Sequence, residues 1–104
     1  MRRGEVWFAD TGRGGDRPVL VLTRDPVAGR MESVVVAQLT TRVRGLTTEL
    51  PLTPVDDGVP TDCVVSFDNI VTLPTISLRR YVSTVSAGRM IQACEVLNAA
   101  LGCT

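Results

Sequence analysis

The sequence predicts a mainly β fold: a small, strongly bent sheet or barrel closed by one C-terminal α-helix. Three observations predict it. Short apolar runs, several rich in β-branched residues, recur between Glu5 and Val85 and are separated by glycine-, proline- and aspartate-bearing turns. Beyond Ser86 the spacing changes, and Met90, Cys94, Leu97 and Leu101 fall at i, i+4, i+7 and i+11, the period of one helical face. The chain has 104 residues, 44% of them hydrophobic, which suits one domain over 1–104 built on one core. A chain of that length buries roughly 60–70% of its unfolded surface and folds without staples.

The first strand is expected at 5–10 and the second at 18–23, with Pro18 at a position where only one ladder donor is lost. Between them lies the glycine-rich turn Gly12-Arg13-Gly14-Gly15-Asp16, whose residues let backbone amides approach a ligand closely. Turn chemistry at 25–29 precedes a third strand, Ser33-Val34-Val35-Val36-Ala37-Gln38-Leu39-Thr40, and residues 41–45 form a polar loop bearing Arg42 and Arg44. A short strand at 48–52 contains Pro51 and so belongs at a sheet edge. Residues 54–60 read as a turn-rich loop with Asp56 and Asp57 solvated, since the spaced oxygens of a calcium loop are missing. Strands at 63–67 and 70–73 flank Asp68-Asn69; a helical turn at 75–80 and a strand at 81–85 follow. Ser86 is the expected N-cap of the last helix and Gly102 its stop.

Composition narrows the chemistry. The chain contains no histidine, which removes histidine acid–base catalysis and every Ser-His or Cys-His nucleophile. It contains no lysine, which removes Walker-type phosphate loops and Schiff-base chemistry. Cys63, Cys94 and Cys103 form no metal-binding or disulfide spacing; the first two read as small buried hydrophobes and the third as exposed. No cofactor or metal is expected. No run approaches the ~20 apolar residues of a membrane span, and no charged-then-apolar leader opens the chain, so a cytoplasmic location is expected, with no membrane partner. Eleven arginines balance eleven acids. A local cationic groove is still possible, because field follows arrangement, and Arg13, Arg17, Arg24, Arg42 and Arg44 are its candidates. Scattered solvated arginines are the plainer reading.

Arg3-Gly4-Glu5-Val6-Trp7, Gly15-Asp16-Arg17-Pro18-Val19-Leu20-Val21-Leu22, Gln38-Leu39-Thr40-Thr41 and Cys63-Val64-Val65-Ser66-Phe67-Asp68-Asn69-Ile70, in that order and ahead of a terminal helix, resemble the MazF/PemK family of toxin endoribonucleases. The resemblance covers nearly the whole chain. It implies an SH3-like small barrel of the MazF/CcdB toxin type, a homodimer, and a cognate antitoxin as partner. It sets Arg17 and Thr40 on the family's catalytic arginine and threonine. Gly15, Asp16, Thr41, Arg42, Arg44 and Asn69 are candidates for substrate contact. The first loop is shorter than in many members and lacks their glutamate, and Asn69-Ile70-Val71-Thr72 stands where Gln-Ile-Arg-Thr is usual.

Single-stranded RNA is the substrate these residues suit. RNA brings its own nucleophile, the 2′-hydroxyl, whereas DNA hydrolysis generally needs activated water. Cleavage through that hydroxyl leaves a 2′,3′-cyclic phosphate and a 5′-hydroxyl, as the resemblance also implies. An arginine, protonated at any working pH, serves as a charge stabiliser, not as a simple base. Thr40 has two readings: a functional one, donor to a phosphate oxygen or relay of the 2′-hydroxyl proton, and a plainer one, strand-end threonine bonding the backbone. Asp16 is the carboxylate nearest Arg17 in sequence and reads as a base or, more plainly, a turn residue. Of Trp7 and Phe8, alternating on one strand, at most one can face a nucleobase. Two further functions fit the same fold: a CcdB-like gyrase poison and a non-catalytic SH3-like interaction module. The first depends on a tryptophan near the C-terminus, and the only tryptophan here is Trp7.

Overall fold

A computed structural model describes residues 1–24 and 32–103; the turn expected at 25–29 lies outside the described residues. The elements run β1 (Glu5–Asp10), β2 (Asp16–Val21), β3 (Ser33–Thr40), β4 (Glu49–Leu52), α1 (Pro54–Asp57), β5 (Cys63–Pro74), a 3-10 turn (Thr75–Ser77), β6 (Leu78–Thr84) and α2 (Ala87–Leu101). The strands form one antiparallel sheet in the order β4-β5-β3-β2-β1-β6, curled into a half-barrel with β4 and β6 at its edges. Pro51 therefore sits on an edge strand, as its missing donor requires. Among the described residues no helix is long and apolar enough to cross a membrane.

Alternation along the strands gives the sheet two apolar faces. Leu20, Ala37, Leu39, Leu50, Leu52, Val65 and Phe67 face α2, while Ala9, Val19, Val21, Val34, Val36, Leu73 and Leu78 form a second cluster with Trp7 on the opposite face. The two short strands expected at 63–67 and 70–73 are one strand, β5, interrupted by a bulge. Between Gln38↔Ser66 and Ala37↔Ile70, β3 advances one residue and β5 advances four, leaving Phe67, Asp68 and Asn69 outside the ladder. The extra residues are odd in number, so alternation inverts across the bulge. Cys63, Val65 and Phe67 face α2 before it; Ile70 does so after it, and Val71 and Leu73 turn to the opposite face. The polar pair Asp68-Asn69, which read as a break between strands, is the bulge itself.

Three other boundaries shift. β2 starts at Asp16 rather than Pro18, because Asp16 pairs with Asp10 on the last rung of the β1–β2 hairpin. The helical turn after Pro74 is limited to Thr75–Ser77, and β6 already begins at Leu78, paired with Ala9. The loop at 54–60 contains α1, capped by the Thr53 hydroxyl, which accepts from the Asp56 amide at 3.1 Å.

Asp57 is not solvated. It is 3% exposed, and its carboxylate accepts from Arg89 Nε at 2.9 Å, Arg89 Nη2 at 3.1 Å and the Thr53 amide at 2.9 Å. The carboxylate raises the Arg89 pKa further above its ordinary value, first through the hydrogen bond. One residue on, Gly58 takes φ +68, and a Cβ there would stand 2.9 Å from the Cβ of Ser83. The Ser83 hydroxyl donates to the Asp57 carbonyl at 2.7 Å. The segment leaving edge strand β4 is thus fastened to the opposite edge strand β6 and to the first turn of α2.

Ser86 caps α2, accepting from the Arg89 amide at 3.1 Å, and Gly102 ends it in the left-handed conformation. The buried seam of α2 is rotated from the expected stripe. Ala93 is its buried centre, flanked by Met90, Val96, Leu97 and Ala100, whereas Ile91 and Leu101 are 62% and 61% exposed. Alanine at the centre brings the helix axis close to the sheet and turns the larger residues to the flanks. Cys94 is only half-buried and accepts from Arg3 Nη2 at 3.0 Å, so it is not a core hydrophobe. Cys63 is buried and Cys103 exposed, as expected.

Removing Arg89 strands a buried carboxylate, so Arg89→Met should destabilise the fold by about 3–5 kcal/mol. Asp57→Asn leaves an arginine whose side chain is 22% exposed and so reachable by water, and should cost less; denaturant midpoints of the two variants check the order. Burial, then the charges of Asp57 and Asp62, push the Cys63 thiol from 9.0 up to about 11. The unfolded thiol therefore ionises first, and the stability this group contributes below pH 9 should fall away as pH rises through about 11. Cys63→Ala should flatten that part of an alkaline stability profile.

Candidate active site

The face of the sheet opposite α2 changes chemistry part-way along β3, from Val34 and Val36 to Gln38 and Thr40. The ladder partners extend this polar band sideways. Val19 pairs with Gln38, Gln38 with Ser66, and Ser66 with Glu49, a row crossing β2, β3, β5 and β4. Continuing the β2–β3 register by two residues sets Arg17 opposite Thr40. Over this band opens a cleft of about 180 Å³, with Gln38, Thr40, Ser66 and Asn69 lining it and Arg13, Arg17, Arg42 and Arg44 around them.

The cleft is cationic although the chain is neutral. Its arginines are Arg13, Arg17, Arg42 and Arg44, and its acids are Glu49 and Asp68. Among the described residues the guanidinium groups of those arginines form no ion pair; the ion pairs are Arg79 with Asp10 and Asp16, and Arg89 with Asp57. Both acids in the cleft are engaged elsewhere. Glu49 accepts from the Arg44 and Leu46 amides at 3.1 and 3.2 Å, and Asp68 accepts from the Thr48 hydroxyl at 2.6 Å. Free forked cations beside occupied carboxylates make a site for an anion with several oxygens.

The structure shows the backbone reading of Thr40, and it is compatible with the other. Its Oγ1 accepts from the Arg42 amide at 3.1 Å, the backbone bond of a strand-end threonine. That bond uses a lone pair and fixes the oxygen while leaving the hydroxyl proton to be donated into the cleft. Gly45, at φ +71, then turns the chain so that the amides on either side of it point at the Glu49 carboxylate, a small anion-binding nest turned inward on the protein.

Of the candidates from sequence, Arg17, Thr40, Arg42, Arg44 and Asn69 meet at the cleft, with Arg13 beside them. Asn69 Nδ2 donates to Ser66 Oγ at 2.9 Å. Gly15, Asp16 and Thr41 do not line it. Gly15 stays in the β1–β2 hairpin loop. Asp16 faces Asp10 directly across the ladder, a like-charge pair neutralised by Arg79 at 3.6 and 3.3 Å, so its carboxylate is turned to β6 and is not placed to act as a base in the cleft. Thr41 lines an apolar cavity next door with Phe8, Pro18, Val59 and Pro60. Arg24 lies at a different cavity, bordered by Leu22, Val35 and Leu97. Neither early aromatic faces the cleft: Trp7 packs edge-on against Tyr81 at 5.9 Å, and Phe8 lies under the Arg80 guanidinium at 4.6 Å.

Sequence reasoning missed Gln38, Glu49, Ser66 and Asp68. Ser66 carried a usable signal, a small polar residue inside an apolar run of a strand. Glu49 and Asp68 carried none, because they join the site only through the β4–β5 register and the bulge.

Residues 2–101 match a family of PemK-like, MazF-like toxins of type II toxin–antitoxin systems. The chain is 59% identical over 103 residues to a protein of Mycobacterium tuberculosis named probable endoribonuclease MazF2, covering 99% of this chain and 100% of that one. Among solved structures it is similar to the Mycobacterium tuberculosis toxin MazF-mt6, with TM-score 0.85 and 35% identity, covering 94% of this chain and 96% of that one. It is also similar to a mycobacterial endoribonuclease solved in complex with its cognate antitoxin, with TM-score 0.88 and 31% identity, covering 100% of this chain and 97% of that one.

Proposed function

The chain belongs to the PemK/MazF family of toxins of type II toxin–antitoxin systems, and on that footing we propose that it is an endoribonuclease that cuts single-stranded RNA in the Arg17–Thr40 cleft. The observation that carries this reading is the set of guanidinium groups, without ion pairs among the described residues, gathered around a threonine hydroxyl held by the Arg42 amide.

The reaction needs an RNA strand laid with one phosphate beside Arg17. The 2′-hydroxyl preceding that phosphate gives its proton to water as its oxygen attacks phosphorus, the bond to the 5′-oxygen breaks, and that oxygen takes a proton from water, so that a 2′,3′-cyclic phosphate and a 5′-hydroxyl result. Negative charge grows on the non-bridging oxygens as phosphorus becomes five-coordinate, and the Arg17 fork meets two of them. Thr40 donates its remaining proton to a phosphate oxygen and so fixes the phosphate against the strand end. Arg13, Arg42 and Arg44 hold neighbouring phosphates, which sets the register of the strand without reading its bases. Sequence selectivity falls to the polar lining, Gln38, Ser66 and Asn69, whose amides and hydroxyl can pair with base edges. The protein acts without a metal cofactor, as a two-fold homodimer, and a cognate antitoxin supplies an acidic segment that occupies the same cationic cleft.

Arg17→Ala should lower the cleavage rate by about 10²–10³-fold, the scale of one lost preorganised donor, and Arg17→Lys should recover little because a point charge does not reproduce the fork. Thr40→Ser should retain more activity than Thr40→Val. RNA with a single 2′-deoxy nucleotide at the scissile position should bind and resist cleavage, and native RNA should be cut in the presence of chelator. Normal cleavage of the deoxy substrate would overturn the mechanism; a folded Arg17→Ala variant of wild-type rate would remove Arg17 from it.

A further inference from the structure

An acid in a cleft that attracts phosphates is a liability unless it does something there. Glu49 lines the cleft among Arg13, Arg17, Arg42 and Arg44. Its carboxylate takes the Arg44 amide on both oxygens, at 3.1 and 3.3 Å, and the Leu46 amide on Oε1 at 3.2 Å. The strand-end hydroxyl of Thr40 takes the Arg42 amide at 3.1 Å. Residues 42–46 have no ladder or helix to hold them, so these side chains bind the backbone of the loop at alternate residues. Gly45 at φ +71 is what aims the amides on either side of it at the same carboxylate. The guanidinium groups of Arg42 and Arg44 are left without an ion pair among the described residues.

We propose that Glu49 is a positioning residue for RNA binding: its carboxylate clamps the Arg44-Gly45-Leu46 backbone so that Arg42 and Arg44 stand preorganised over the cleft. The proposal rests on the reading of the cleft as an RNA site. Its physical content is that ordering is supplied before binding. A loop already fixed does not lose freedom when a phosphate arrives, so each arginine contact returns more of its gross energy as affinity. The clamp spends the negative charge on backbone amides, where it is neutralised locally and repels phosphate least.

Charge alone and positioning make opposite predictions, which makes the test sharp. If Glu49 acted only as a negative charge near phosphates, removing it in any manner would tighten RNA binding. If it clamps the loop, Glu49→Ala should weaken binding by about tenfold despite deleting a repulsive charge. Glu49→Gln keeps an acceptor at Oε1 for both amides and removes the charge, so it should bind more tightly than wild type. The measurement is fluorescence anisotropy of a labelled, random-sequence single-stranded RNA pool with 2′-fluoro groups, which cannot be cleaved, across a salt series. Each lost phosphate contact should shallow the slope of log affinity against log salt by about 0.7, so Glu49→Ala should shallow it and Glu49→Gln should not. In cleavage assays the Glu49→Ala defect should fall on KM far more than on kcat.

Tighter binding by Glu49→Ala would overturn the clamp in favour of simple repulsion. A large kcat loss shared by Glu49→Ala and Glu49→Gln, with binding kept, would overturn it in favour of a proton-transfer role. Unfolding of Glu49→Ala is controlled by Gly45→Val, which strains the same turn without touching the acid and should reproduce the shallower slope; a wild-type slope there would overturn the clamp as well. Absence of salt-dependent RNA binding by the wild-type protein would instead sink the RNA reading of the cleft itself.

Discussion

The half-barrel depends on one buried ion pair. A sheet in the order β4-β5-β3-β2-β1-β6 leaves two edges that do not pair with one another, and β4 is a four-residue strand held on one side only. Asp57 and Arg89 join what the ladder leaves apart. The carboxylate receives the guanidinium of α2 and the amide that opens α1, and its own backbone carbonyl receives the Ser83 hydroxyl of β6. Buried pairs of this kind are seldom a net gain over apolar packing, but half of one is a heavy loss, so the arrangement is all-or-none. The dependence reaches the cleft by a short route: the pair fixes α1, α1 fixes the end of β4, and β4 begins with Glu49.

The cleft is a change in side-chain chemistry on a continuous surface. The ladder that buries Val34 and Val36 also sets Gln38 and Thr40 in line with them, and it presents Ser66, Glu49 and Arg17 from neighbouring strands. The scaffold that makes the core rigid therefore makes the site rigid. Net charge misleads about such a protein. Four of its acids are used internally, Asp57 against Arg89, Glu49 against amides and Asp10 with Asp16 against Arg79, while Arg13, Arg17, Arg42 and Arg44, which form no ion pair among the described residues, gather at one cleft.

What was legible in the sequence was local. The bounds of β1 and β3, the Ser86 cap and the Gly102 stop follow from neighbours a few residues away. Arg17, Thr40 and Asn69 were picked out through resemblance, and Arg42 and Arg44 as the basic residues of the loop that follows Thr40. Features set by pairing at a distance were illegible. Asp57 and Arg89 are separated by 32 positions, and no pattern around Asp57 distinguishes it from the solvated Asp56 next to it. The seam of α2 was misjudged because hydrophobicity favours Ile91 and Leu101, whereas close packing on a curved sheet favours Ala93.

The bulge in β5 bears on how such a chain can change in length. Because an odd number of residues is looped out between Ser66 and Ile70, the inner and outer faces of the strand exchange there. The five pairs from Ala37↔Ile70 to Ser33↔Pro74 fix the face that each residue of the second half of β5 takes. A change in the number of residues looped out between Ser66 and Ile70 can therefore be absorbed in the bulge, leaving Ile70 toward α2 and Val71 and Leu73 on the opposite face. Phe67, buried among the residues that pack α2, anchors the base of the protrusion. The reach of the cleft-lining Asp68 and Asn69 at its tip is thus uncoupled from the packing of the core.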